Sequence, residues 1–294
     1  MPLLLCLLAS AAPPPHDGLA DRLAPLIRAH KGKVAVGVKH LDSGRTFFHN
    51  ADEVMPTASL IKVCVLAEAY LQVGEGKISL RDKLELKEAD KVPGSGILTT
   101  HFSEGASFPL RDCLRLMIAY SDNTATNLVL DRVGIKNVNK RMADWGLKQT
   151  RINAKVFRGA TTSVDPARTK KYGLGSTTAR EMVALFEQLA AGDRLRPALK
   201  QAVLGHLSRN EDKLKFTRLL PPGTRVAHKD GSVSDARTDA GVIYAPDGAI
   251  VVCVLTDRNA DRRWAPDNAG NLLCAKVAKA VYDHFEEPKK DTPR

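Results

Sequence analysis

The stretch from Ser59 to Val73 constrains what this chain can fold into more than any other. It reads as one continuous helix rich in leucine, alanine and valine. A helix at a protein surface keeps a polar face toward water. Here Leu60, Ile61, Val63, Val65, Leu66, Ala69 and Leu71 leave no such face, so the helix has to be enclosed on every side. The chain's 294 residues are enough to enclose it, as one large domain or two intimately packed subdomains. A hydrophobic fraction of 44% and a charged fraction of 26% are those of an ordinary globular protein, not a fibrous or disordered one.

Elements of both periods surround that helix. Residues 17–29, with Leu19, Leu23, Leu26 and Ile27 at helical spacing, predict a first helix. Residues 34–38 and 46–49 bracket Asp42, Ser43 and Gly44 and predict a hairpin. From about 77 to 206 the chain is mostly helical, with segments over 110–119, 123–133, 136–145, 178–190 and 197–207. Strands return after Pro221-Pro222-Gly223, over 225–228, 240–244 and 249–255, and Pro246, Asp247 and Gly248 make the last turn. A helix over 269–285 precedes a polar tail, 286–294, expected to be disordered. Strands from the two ends of the chain can pair into one antiparallel sheet, with the first and last helices on one face. The fold class is therefore α+β, with a sheet lobe from 17–55 and 208–285 and an all-helical lobe from 56–207. No repeat and no linker divides residues 17–285 into independent domains.

The net charge of +11 raises the question of nucleic acid. Lys and Arg are scattered rather than blocked, and an aromatic fraction of 5% offers few stacking platforms, so no nucleic-acid partner is expected. Net charge speaks to solubility and to non-specific attraction, here toward an anionic cell envelope, and not to fold. Residues 1–12 form a short apolar run ending in small residues, with Ala9 and Ala11 at cleavage-site spacing, though no basic residue precedes it. That reads as a signal peptide and predicts export to the periplasm or the extracellular space. No other segment approaches the roughly 20 apolar residues of a membrane span, so no stable membrane insertion is expected. Cleavage would remove Cys6 and leave Cys64, Cys113, Cys253 and Cys274, an even number that permits disulfides and equally permits buried free thiols. No Cys or His spacing indicates a metal site, and no cofactor is expected.

Three short motifs carry possible chemistry. Ser59 opens the apolar helix, where backbone N–H groups and the helix dipole favour developing negative charge. Lys62, three residues on, shares its face. A lysine buried there beside another cation can lose its proton and act as a base. Alone, a Ser-x-x-Lys pair arises by chance roughly once in a chain of this composition. Ser121, Asp122 and Asn123 are residue types that cap helices, and the helix holding Leu128 and Leu130 begins there. The functional alternative gives Ser121 a proton-relay role and Asn123 an amide that holds substrate. Lys229, Asp230, Gly231 and Ser232 fall on a strand near the sheet edge, and the plain reading is a surface strand entering a turn. Read functionally, Lys229 supplies positive charge, Gly231 lets a substrate approach the backbone, and the N–H groups of Ser59 and Ser232 form an oxyanion hole.

In this order and at these intervals the three motifs resemble those of the serine β-lactamases and penicillin-binding proteins, Ser-x-x-Lys, Ser-Asp-Asn and Lys-Thr-Gly. The flanks agree: Gly94 to Leu98, Leu116 to Ile118, Thr124 to Asn127 and Gly146-Leu147 look like class A β-lactamase sequence. The resemblance runs from about residue 18 to 285. It implies a β-lactamase/transpeptidase-like fold, with a five-stranded antiparallel sheet. It also implies a covalent mechanism on a β-lactam or a peptidoglycan-like acyl-D-amino acid. Ser59 would attack the carbonyl, Lys62 take its proton, Ser121 pass a proton onward, Lys229 lend its field, and Asn123 bind the substrate amide. The implied protein is a monomeric serine hydrolase that opens β-lactam rings. A non-hydrolytic penicillin-binding protein or sensor, and a serine esterase or D-Ala-D-Ala peptidase, are the alternatives.

Two positions depart from the family pattern. Class A enzymes carry a Glu-x-x-Leu-Asn element on a loop after the Ser-Asp-Asn motif, and its glutamate activates the deacylating water. Residues 151–158 contain no carboxylate, and Asp165 is the nearest replacement. Asp230 stands where the family has a hydroxyl residue that binds the substrate carboxylate. Two facing carboxylates repel unless Asp230 turns away or pairs with a base such as Arg225 or Lys229, leaving Ser232 or Ser234 to make the contact.

Overall fold

The computed structural model describes residues 18–286. The leader with Cys6, Asp17 and the tail beyond Glu286 lie outside the described residues. The apolar stretch is enclosed, but it does not begin as an α-helix. Ala58–Ile61 is a 3-10 turn, and the α-helix proper is Lys62–Gly74, with every residue from Lys62 to Gln72 buried. Around it pack the helices Leu110–Ala119, Asn123–Val133, Ile135–Asp144 and Pro197–Leu207.

The main sheet runs in the order Thr46–His49, Lys33–His40, Gly248–Asp257, Ala236–Ala245, Val226–Val233, antiparallel throughout. Its two ends of the chain join where Val36 lies opposite Val254. Side chains alternate between two buried faces. Val34, Val36, Val38, Ile250, Val252 and Val254 meet the helices Leu19–Ala29 and Ala269–Glu286 through Leu23, Ile27, Leu273 and Val277. Ala35, Ala227, Val242, Val251, Cys253 and Leu255 join the core around the central helix. With both faces covered, Ile250 to Leu255 needs no polar alternation, and the sequence shows none.

Strands Val226–Val233 and Ala236–Ala245 are longer than the apolar pattern predicts. Their extensions contain the buried Lys229, Arg237, Thr238 and Asp239 and the half-buried Asp230, all held by ion pairs or hydrogen bonds. The helical lobe also contains two small sheets. Met55–Pro56, Gly175–Thr177 and Arg151–Ile152 form one, and Lys83–Glu85 with Ser107–Pro109 the other. Strands of two or three residues show no periodicity to read. The four described cysteines are free and buried, which decides between disulfides and thiols. No described helix is long and apolar enough to cross a membrane.

Candidate active site

Ser59 sits on a turn pinned from both sides. Thr57 N donates to Gly175 O of the small sheet at 3.0 Å, and Thr238 Oγ1 of the main sheet donates to Thr57 O at 2.9 Å. Leu60 N closes the turn on Thr57 O at 3.1 Å. Between these anchors Ala58 is held at φ 45°. That conformation costs a residue with a Cβ on the order of 1–3 kcal/mol and persists only where the surroundings impose it. Alanine gives no sequence sign of it. Gly231 of the edge strand presses on the same turn. A Cβ there would fall 2.5 Å from Thr57 O and 2.9 Å from Leu60 N. The close approach that Gly231 permits is thus to the turn carrying Ser59.

Lys62 is fully buried at the start of the central helix. Its Nζ donates to Ser121 O at 2.6 Å, Asn123 Oδ1 at 2.9 Å and Ser121 Oγ at 3.2 Å. Burial drives its amine well below the ordinary lysine value, and the Lys229 cation pushes the same way, against the pull of Asp122 and Asp230. Ser121 is itself held at φ 52°, with its carbonyl accepting from Lys62 and, at 2.8 Å, from Ser95 Oγ. Asp122 fixes this arrangement. One oxygen accepts from Ala125 N at 2.8 Å and caps the helix Asn123–Val133, as the sequence predicts. The other accepts from Ile97 N at 2.7 Å and Leu98 N at 2.9 Å. The loop of Gly94 to Gly96 is thereby folded onto the motif, and Asn123 Nδ2 donates to Pro93 O at 3.0 Å. Gly96, at φ 118°, leaves room for the Asp122 side chain where a Cβ would stand.

Lys229 is buried too, on the edge strand, and its Nζ donates to Asp230 Oδ1 at 2.7 Å and Asp230 O at 2.8 Å. Asp230 therefore pairs with Lys229, one of the two bases that the sequence offers it. The other, Arg225, stacks on the Tyr244 ring at 4.2 Å. A third group was not legible. Lys215 Nζ donates to Asp230 Oδ2 at 3.1 Å, and Asn210 Nδ2 donates to Oδ1 at 3.2 Å. Burial alone would raise the Asp230 carboxyl, yet Lys229 and Lys215 hold it well below the ordinary carboxylate range. Lys215 is 2% exposed and also bonds Asp212 Oδ2 at 3.0 Å. Its burial is outweighed by Asp230 and Asp212, which raise its amine. Nothing in the sequence sets Lys215 apart from the other lysines except Asp212 three residues before it.

Ser59, Ser121, Asn123, Asp230 and Ser232 line one cavity of about 610 Å³, and the buried Lys62 and Lys229, with Gly231, are not among its lining residues. The opposite wall is the loop 153–174, hung between two strands of the small sheet, which contributes Val156, Phe157 and Leu174. Asn153 Nδ2 ties its base to Gly173 O at 3.0 Å, and Asn127 exchanges two hydrogen bonds with the Val156 backbone, at 3.0 and 2.8 Å. Phe157 and Trp264, both largely exposed, stand at the rim. Asp165 is not brought to this site. Its carboxylate accepts from Arg168 N at 3.0 Å and caps the short helix Pro166–Tyr172. Asp230 is the one carboxylate among the cavity-lining residues. Among the described residues, no group of three or more His, Cys, Asp or Glu is placed to hold a metal ion.

A five-stranded antiparallel sheet with terminal helices on one face and a helical lobe on the other, with the serine, lysine and Ser-Asp-Asn segments meeting at their junction, is the β-lactamase/transpeptidase architecture. The chain belongs to the beta-lactamase enzyme family, whose model matches residues 18–285. A β-lactamase of Streptomyces lavendulae is 27% identical over 279 residues, covering 92% of this chain and 87% of that protein. Among solved structures, the β-lactamase from Sphaerobacter thermophilus has a TM-score of 0.79 at 28% identity, over 91% of this chain and 96% of that one. A variant of PBP-A, solved as its acyl-enzyme complex with penicillin G, has a TM-score of 0.78 at 27% identity, over 91% and 96%.

Proposed function

We propose that this protein is an exported, monomeric serine hydrolase that opens β-lactam rings through an acyl-enzyme on Ser59. The observation that carries the reading is Lys62, buried and held toward neutrality, bridging to Ser121 and Asn123 of the cavity that Ser59 lines. A neutral amine keeps two hydrogens, for Ser121 O and Asn123 Oδ1, and one lone pair. As Ser59 Oγ bonds to the lactam carbonyl carbon, Lys62 takes the hydroxyl proton. The carbonyl–nitrogen bond then breaks, and Ser121 Oγ passes a proton to the leaving nitrogen while Lys229 lends its field. Asn123 holds the substrate amide. The N–H groups of Ser59 and Ser232 receive the oxyanion, each donor worth about 2.7–4 kcal/mol in such sites.

A second reading, a penicillin-binding protein that acylates and then deacylates slowly, is favoured by one feature. No uncommitted carboxylate lines the cavity, since Asp230 is engaged by Lys229, Lys215 and Asn210 and Asp165 caps a helix. The acyl-enzyme of the PBP-A variant lends support by similarity to the acylation step, which both readings share. The experiment is hydrolysis of a chromogenic cephalosporin, followed from milliseconds through many protein equivalents. Sustained turnover is the result of the first reading, and a burst of about one equivalent followed by silence that of the second. Ser59→Ala abolishes both, and covalent penicillin labelling that survives it refutes the nucleophile.

A further inference from the structure

We infer that Asp230 is a specificity residue that sets this site against a carboxylate beside the scissile amide and toward a neutral hydrogen-bond donor there, such as a primary amide. The inference rests on Ser59 as the nucleophile and deepens that reading. Asp230 lines the same cavity as Ser59, and its neighbour Gly231 presses on the Ser59 turn, so an acyl group held at Ser59 places its adjoining substituent near this carboxylate.

The charges there are matched. Lys229 and Lys215 are the two cations on Asp230, and Asp230 with Asp212 gives two anions against them. Lys215 is built into place, because Asp212 Oδ1 accepts from Lys215 N at 2.9 Å and Asp239 Oδ2 accepts from Phe216 N at 3.1 Å. Two other cations near the cavity are already engaged. Lys155 is paired with Asp131. The Arg237 guanidinium lies under the Trp264 ring and donates to the carbonyls of Val233, Ala236 and Arg263. An incoming carboxylate therefore meets an ionised carboxylate whose two lysines are already engaged, while Arg237, which has no carboxylate partner among the described residues, is taken up by three carbonyls and a ring. A donor fares differently, since a carboxylate accepts about four hydrogen bonds and Asp230 receives three from side chains.

The test compares acylation of the protein by benzylpenicillin and by its primary amide, made at the ring carboxylate. Each second-order rate constant is divided by that compound's own rate with hydroxide, which removes differences in ring reactivity. The wild-type protein prefers the amide by at least about tenfold, because like charges brought together at a desolvated site are strongly disfavoured. Asp230→Asn removes the anion while keeping an acceptor for Lys229, and shifts the preference to the acid. A wild-type preference for the acid, or equal rates, overturns the inference, as does an Asp230→Asn protein with an unchanged ratio. If Asp230→Asn does not fold, the wild-type ratio decides alone. Acid preferred with Ser59→Ala inert sinks only the role of Asp230, whereas rates unaffected by Ser59→Ala sink the nucleophile and this inference with it.

Discussion

Lys62 and His206 are both buried bases held toward neutrality, and the same physics gives them different consequences. For Lys62 the consequence is kinetic. Burial, reinforced by Lys229, lowers its amine well below the ordinary lysine value, which favours the deprotonated form that the proposed acylation uses. Acylation by a fluorescent penicillin should then fall as pH drops through that lowered value. Lys62→Arg, which stays protonated, should lose about 10²- to 10⁴-fold in acylation rate across the range. A variant with wild-type rates would remove Lys62 from the mechanism. For His206 the consequence is stability. Burial, with Arg115 and Arg209 nearby, lowers its pKa to about 4, and its Nε2 lies 2.8 Å from the Tyr70 hydroxyl. Between about 6.5, the unfolded value, and the lowered value the unfolded chain binds more protons than the folded one. Stability from this group is therefore present above about 6.5 and lost as pH falls, by up to about 3 kcal/mol. His206→Gln keeps a partner for Tyr70 but does not titrate, so urea midpoints measured from pH 7 to 4 should fall less steeply than in the wild type.

Elements differ in how they reach the site, and the edge strand does so through a single missing side chain. Gly231→Ala would put a Cβ against Thr57 O and Leu60 N, forcing the strand Val226–Val233 away from the turn that carries Ser59. Overpacking of this kind costs about 1–3 kcal/mol, and a shift near 1 Å at a reacting group costs on the order of 10² in rate. Reduced thermal stability together with a roughly 10²-fold slower acylation is the expected pair of results. Unchanged values for both would show that the strand and turn are not in close contact. What was legible in the sequence follows the same division. Leu110–Ala119, Asn123–Val133 and Pro197–Leu207 have the expected bounds because long apolar periodicity and an N-cap or N-terminal proline mark them. The 3-10 turn before Lys62 was hidden because Ala58 to Ile61 is as apolar as the helix it precedes. The motif residues Ser59, Ser121, Asn123, Asp230 and Ser232 do meet in one cavity. Lys215, Asn210 and the strained Ala58 were invisible, since a pairing across the fold and an imposed φ leave no local pattern.

At the scale of the whole molecule, the two lobes share structure in a way that makes independent unfolding costly. The sheet takes strands from both ends of the chain, and the helix Lys62–Gly74 lies in the core that the sheet and the helical lobe build together. The four described cysteines sample that arrangement. Cys64 is in the central helix, Cys113 in the helix Leu110–Ala119, Cys253 on the sheet face toward them, and Cys274 on the helix covering the opposite face. All are buried, and burial pushes each thiol up, Cys113 to about 12, so thiolate is scarce near neutral pH. With Cys6 replaced by serine, an aromatic disulfide reagent should find none of the four reactive in the native protein. As urea is added, all four should label with one common midpoint, because exposing any of them requires opening a core that both lobes use. Reductant should leave the midpoint where it is. If Cys113 labels at distinctly lower urea than Cys253, the helical lobe opens by itself, and the shared helix does not couple the two halves of the fold.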